Sequence, residues 1–137
     1  MSITDNIALR YLVDTDKTFE LVEHLEVRLP DCRFIVIPKG FKTDLISAPM
    51  LLWSFIRPID KALIADIVHD YLWHIRVDEI KRFDGNIYMA RKYADDVRFK
   101  MRKQLAPKLW FKNYVTHYFL RIFGGLWYSR QLKIPKR

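Results

Sequence analysis

The sequence predicts an α+β fold, a small N-terminal antiparallel β-sheet packed against three to four C-terminal helices. Three observations lead there. Short runs rich in β-branched and aromatic residues fill the first part of the chain, apolar residues recur at helical spacing from about position 60, and Pro, Gly and Asp clusters fall between the runs.

The strands come first. Ile7 to Val13, Phe19 to Leu29 and Cys32 to Pro38 read as extended, with alternation clearest in Leu25-Glu26-Val27-Arg28-Leu29, and Asp14-Thr15-Asp16 and Pro30-Asp31 supply turns. Pro38-Lys39-Gly40 ends the last of them, and a polar loop follows. From Asp60, a plausible N-cap, Leu63, Ile64, Ile67, Val68, Tyr71, Leu72 and Ile75 keep helical spacing. Phe83-Asp84-Gly85-Asn86 is a turn. Ala90, Ala94, Val97, Met101 and Leu105 mark one face of the next helix, which Pro107 terminates; Asp95 flanks that face and Asp96 points away. The last helix places Phe111, Tyr114, Val115, Tyr118, Phe119 and Ile122 on one side, expected to face the core, and stops at Gly124-Gly125.

The bulk numbers bound the class. A chain of 137 residues, 50% hydrophobic and 15% aromatic, fits one domain with a real core: about 1–40 β-rich, 41–128 loop and helices, 129–137 a basic tail. Cys32 is the only cysteine, so no internal disulfide forms, which suits a reducing compartment; its thiol is expected to pack. The first residues resemble no secretory signal, and no transmembrane segment is expected, because the run Tyr114 to Phe123 is broken by Thr116, His117 and Arg121.

Net charge is +8 and unevenly placed. Residues 1–80 carry 9 Lys and Arg against 13 Asp and Glu, net −4, whereas residues 81–137 carry 15 against 3, net +12. Such a half could attract nucleic acid, an anionic membrane or cell-wall surface, or an acidic protein neighbour. Nucleic acid would be bound through Arg91, Lys92, Arg98, Lys100, Arg102, Lys103, Lys108 and Lys112, but no binding motif accompanies them, so a solvated face is favoured. The aromatic last helix, with Trp110 and Trp127, could lie at a membrane interface, although core is the default.

Two polar clusters carry the chemistry. Thr43, Asp44 and Ser47 sit in the loop before Pro49, and Asp66, His69, Asp70 and Trp73 form a polar strip on the first helix. Buried carboxylates, hydroxyls and imidazoles need partners, so each cluster is either a closed hydrogen-bond network or a site. In the first reading Asp44 accepts from backbone amides near Ser47, and Ser47 caps a helical turn. In the second, Asp44, His69, Asp70 and Asp95 converge. His69 is then a general base oriented by carboxylates, or Asp44, His69 and Asp95 hold a divalent metal that activates water; either route is hydrolysis. Ser47 as a nucleophile activated by His69 is weaker, because the glycine-flanked elbow is absent. His69-Asp70 followed by an aromatic and a later Asp resembles the chemistry of secreted phospholipases, whose His is the base and whose next Asp binds calcium, without their disulfides or Gly-rich calcium loop.

Taken together, Phe41-x-Thr43-Asp44-x-x-Ser47-x-Pro49 with Trp53, then His69-Asp70-Tyr71-Leu72, Ala94-Asp95, and Phe123-Gly124 before Trp127 resemble the family called domain of unknown function 1353. The resemblance runs from about Phe34 to Trp127. Ile46 replaces a usually small residue and Trp73 stands where Tyr is common. The resemblance implies a tailed bacteriophage or prophage origin, with synthesis in the host cytoplasm and the virion as a further location. The implied partners are phage structural proteins or cell-envelope substrate. The competing expectation is a non-enzymatic virion or tail assembly protein, in which Asp44, His69, Asp70 and Asp95 only lock the loop.

Overall fold

A computed structural model describes residues 7–11, 19–43 and 62–130, with the side chains of Tyr11 and residues 126–130 excepted. Asp44, Ser47, Pro49, Trp53 and the expected cap Asp60 lie outside the described residues. Among the described residues, five short strands precede four α-helices: β1 Leu9–Tyr11, β2 Phe19–Leu21, β3 Leu25–Arg28, β4 Phe34–Ile37, β5 Lys42–Thr43, α1 Leu63–His74, α2 Arg76–Arg82, α3 Ile87–Leu105 and α4 Trp110–Arg130, with a 3-10 turn at Pro107–Leu109. The α+β expectation holds.

The strands make two small antiparallel sheets, β1-β2-β5 and β3-β4, where the sequence suggested one. The run from Phe19 to Leu29 is two strands, because the chain bends over residues 22–24. In the β3-β4 hairpin, Glu26 pairs with Val36 and Val27 with Ile35. Leu25, Val27, Ile35 and Ile37 are buried and their neighbours exposed, so one face covers the core. Its turn puts Cys32 at φ 71° with the side chain exposed, which corrects the expectation that the thiol packs. Leu29, Ile35, Ile37 and Phe41 meet Ile64, Ile67, Val68 and Leu72 of α1 and Val97 and Met101 of α3 in one core. Arg33 reaches α2, donating from both Nη atoms to the two Glu79 oxygens at 2.8 Å, and Tyr93 of α3 donates to Asp31 at 2.8 Å. These bonds tie the hairpin turn to the helices.

Helix α3 begins at Asn86, whose side chain accepts from the Met89 amide at 3.0 Å, and ends at Ala106 before Pro107. It lies between α1 and α4. Polar pairs run Asp66 to Arg98 and Arg102, then His69 to Asp95, and on the other side Arg102 to Asn113, Arg98 to Thr116 and Asp95 to Arg121. Partner numbers fall as the others rise, so α3 is antiparallel to both neighbours.

Two expectations for α4 are corrected. The helix runs through Gly124-Gly125 instead of stopping: a Cβ on Gly124 would sit 3.1 Å from the Trp73 ring, and one on Gly125 3.5 Å from the Arg91 guanidinium. Those glycines let α1 and α3 approach. Its aromatic stripe is also outside the core, with Phe111 64%, Tyr118 55% and Ile122 70% exposed, while Asn113, Thr116, His117 and Leu120 are buried. The inward face of α4 is polar because the α3 face it meets is polar.

Candidate functional site

The strip Arg91, Asp95, Arg98, Arg102 recurs along α3 at intervals of four, three and four, one position after the apolar Ala90, Ala94, Val97 and Met101. Apolar and charged stripes therefore lie side by side, and the charged one enters the interhelical space. Arg98 is 5% exposed and Arg102 0%. For Arg98 and Arg102 that burial corrects the expectation of a solvated face, and with it their role as nucleic-acid contacts, whereas Lys100, Lys103 and Lys108 are exposed as expected. The charges of the two arginines are turned inward.

Two linked clusters result. In the first, Asp66 accepts from Arg98 Nε at 2.8 Å and from Arg102 Nη1 at 3.0 Å. Arg98 also donates to Thr116 Oγ1 at 3.0 Å, and Arg102 Nε to Asn113 Oδ1 at 2.8 Å. Burial, with the nearby Arg102 charge, draws the Arg98 guanidinium below its usual range, against the pull of Asp66. Asn113 in turn donates to the Ala106 carbonyl at 3.0 Å, satisfying the C-terminal end of α3.

The second cluster holds His69. Its Nε2 lies 2.8 Å from Asp95 Oδ1, and the side chains are 2% and 0% exposed. Asp95 Oδ2 accepts from Arg121 Nη1 at 2.8 Å, and Arg91 Nη1 is 3.6 Å away. Burial alone would raise the Asp95 carboxyl, but the His69 hydrogen bond and charge, with Arg121, outweigh it and hold the group below the usual carboxylate range. Asp95 is thus ionised near neutrality and can only accept, so the shared proton sits on Nε2. A neutral His69 then keeps its lone pair on Nδ1. No other hydrogen bond of His69 is found among the described residues. The Trp73 ring packs on the imidazole, with centroids 5.1 Å apart.

Asp70, next to His69, is half-buried, and its Oδ2 has no hydrogen-bond partner among the described residues although the atom is shielded from solvent. A closed structural network would satisfy such an oxygen. Of the expected site residues, then, His69 and Asp95 touch, Asp70 adjoins them, and Asp66 serves the neighbouring arginines instead of His69. Asp44 and Ser47 are outside the described residues, though the chain reaches Asp44 directly from Thr43, which is buried in β5 against α1.

For a metal, Asp95 is poorly placed. Both its oxygens already face the imidazole or guanidiniums, so a divalent ion would add a further positive charge there. No group of three His, Cys, Asp or Glu with metal-binding spacing occurs among the described residues. A groove of about 520 Å³, lined by Pro38, Phe41, Lys42, Tyr71, His74 and Ile75 among others, opens on the other side of α1. Tyr71 and Ile75 lie about 200° and 240° around the helix from His69.

A family model described as protein of unknown function (DUF1353) matches residues 19–117. The chain belongs to the DUF1353 family. The matched region of this DUF1353 protein holds Asp66, His69, Asp70, Asp95, Arg98 and Arg102, and ends before Arg121. No curated protein and no solved structure matches the chain.

Sequence reasoning missed Arg91, Arg98, Arg102, Asn113, Thr116 and Arg121 as partners. The available signal was the charged stripe on α3 in register with an apolar one, which on a solvated face would have no reason to keep core spacing.

Proposed function

We propose that this DUF1353 protein is a hydrolase of cell-envelope material from a tailed bacteriophage, with His69 as general base and Asp95 as its orienting partner. One observation carries the reading: His69 Nε2 is bound to a buried, ionised carboxylate while Nδ1 and the adjacent Asp70 Oδ2 lack partners among the described residues. His69 Nδ1 would take a proton from a water attacking an acyl carbon, and Asp95 would stabilise the imidazolium that forms. The proton would then pass to the leaving group. Asp70 would orient that water; Asp95 is already satisfied. The same division of roles, base His and neighbouring Asp, is what the resemblance to secreted phospholipases implies.

The test offers the purified protein phospholipid vesicles and peptidoglycan, with and without a chelator, and follows released fatty acids and muropeptides by mass spectrometry. His69→Ala should lower product release by roughly 10²–10⁴-fold. Absence of product from every envelope fraction, or full activity in His69→Ala, would remove the proposal.

A second reading has its own observation. His69 is 1% and Asp95 0% exposed, so the pair also fits an interhelical lock in a virion or tail assembly protein. In that case Asp95→Asn would lower stability and no envelope activity would exist to lose.

A further inference from the structure

Helix α4 is amphipathic in the reverse sense: its inward face carries Asn113, Thr116 and His117, while Phe111, Tyr114, Tyr118 and Ile122 stand in solvent. Steps of three, four and four residues put those side chains on one stripe, roughly 16 Å long at 1.5 Å per residue. Trp110, 63% exposed, extends it at the N-terminal end. Contiguous exposed apolar surface of this kind marks an interaction site.

Charge narrows the partner. Exposed Lys108 precedes the stripe, and Lys103 Nζ lies 4.5 Å from the Phe99 ring, which packs edge-on against Tyr114 at 5.0 Å. No acidic residue follows Asp96 in the sequence. Two copies meeting through this face would bring lysine against lysine without a countercharge. Bases stacked on aromatic rings would leave the aliphatic Ile122 unused. We infer that the outward face of α4 docks on an anionic lipid surface, with the aromatic stripe in the headgroup region and the lysines against lipid phosphates. Aromatic side chains with basic flanks are the composition that such interfacial helices use. No described helix is long and apolar enough to cross a bilayer, so α4 would lie along the surface. This inference does not rest on the hydrolase reading.

Co-sedimentation with vesicles of phosphatidylglycerol and of phosphatidylcholine tests it, using the full chain. Binding to the anionic vesicles should be at least tenfold tighter and should weaken as NaCl rises from about 0.05 to 0.5 M, where screening shortens the reach of the lysines. The pair Phe111→Ser and Ile122→Ser, on the surface and so compatible with folding, should lower binding tenfold or more, with circular dichroism unchanged. His69→Ala should bind as the parent does, which separates this result from the fate of the hydrolase reading. Equal binding to both lipids, or no binding, would overturn the inference. So would a concentration-dependent dimer, or single-stranded nucleic-acid binding, that disappears in the Phe111/Ile122 variant while vesicle binding is absent from the parent.

Discussion

Asp66→Ala removes a carboxylate that Arg98 and Arg102 share. Both guanidiniums are almost out of water, at 5% and 0% exposure, so neither can regain hydration without opening the α1/α3 interface. Breaking a buried pair by deleting one partner costs about 3–5 kcal/mol, mostly for the charge left behind. Two features push this case toward the lower end. Arg98 keeps Thr116 and Arg102 keeps Asn113 as acceptors, and Ala gains a few tenths of a kcal/mol in helix propensity. The expected loss is about 3 kcal/mol, a large part of the roughly 5–15 kcal/mol typical of a domain. Urea denaturation followed by circular dichroism at 222 nm would measure it, and a double substitution with Arg102→Met should recover part of the loss. A change below about 1 kcal/mol would refute the claim that Asp66 neutralises two buried guanidiniums.

Other expectations follow from the same contacts. Glu79→Ala should cost less, about 2 kcal/mol, because Arg33 is 22% exposed and can be rehydrated once the fork is lost; the same urea titration checks this. Cys32→Gly should stabilise by about 0.5–1 kcal/mol, since Gly relieves the left-handed backbone at φ 71°, and Cys32→Val should destabilise; thermal melts give the sign. Burial holds the His117 imidazole below its usual value of 6.5, so the unfolded chain takes up the proton first, and stability should fall as pH drops below about 6.5. His117→Phe, which keeps the stacking on Phe99, should remove that part of the pH dependence. Asp95 adds a second, lower window: its depressed carboxyl stabilises above the unfolded value near 3.8, and this is lost as pH falls further, through the folded value.

How much was legible depended on whether a pattern named its partner. Leu63 to Ile75 and Ala90 to Leu105 show core spacing over several turns, so α1 and α3 were readable, as was the stop at Pro107. The orientation of α4 was not. Periodicity marks an apolar face without saying that the face is buried, and the polar side of α4 is buried only because Arg98 and Arg102 of α3 are there to meet Asn113 and Thr116. Gly124 read as a terminator, yet its missing side chain serves the approach of Trp73, a contact between residues 51 positions apart. The polar strip of α1 showed which side chains share a face, but not that Asp66 and His69 would divide between different partners on α3. Arginines far apart in sequence are indistinguishable from surface charge until a buried carboxylate is placed beside them.

The central claim is that His69 acts as a base oriented by Asp95, and Asp95→Asn addresses it most directly. The amide keeps the carboxylate's shape but can donate to Nε2, which would move the imidazole proton to Nδ1, the nitrogen required to be basic. The measurement is product release from cell-envelope substrate by parent and Asp95→Asn, at a temperature where both are folded by circular dichroism. A loss of at least roughly 10²-fold in the folded variant is expected. Activity within a few-fold of the parent would contradict it.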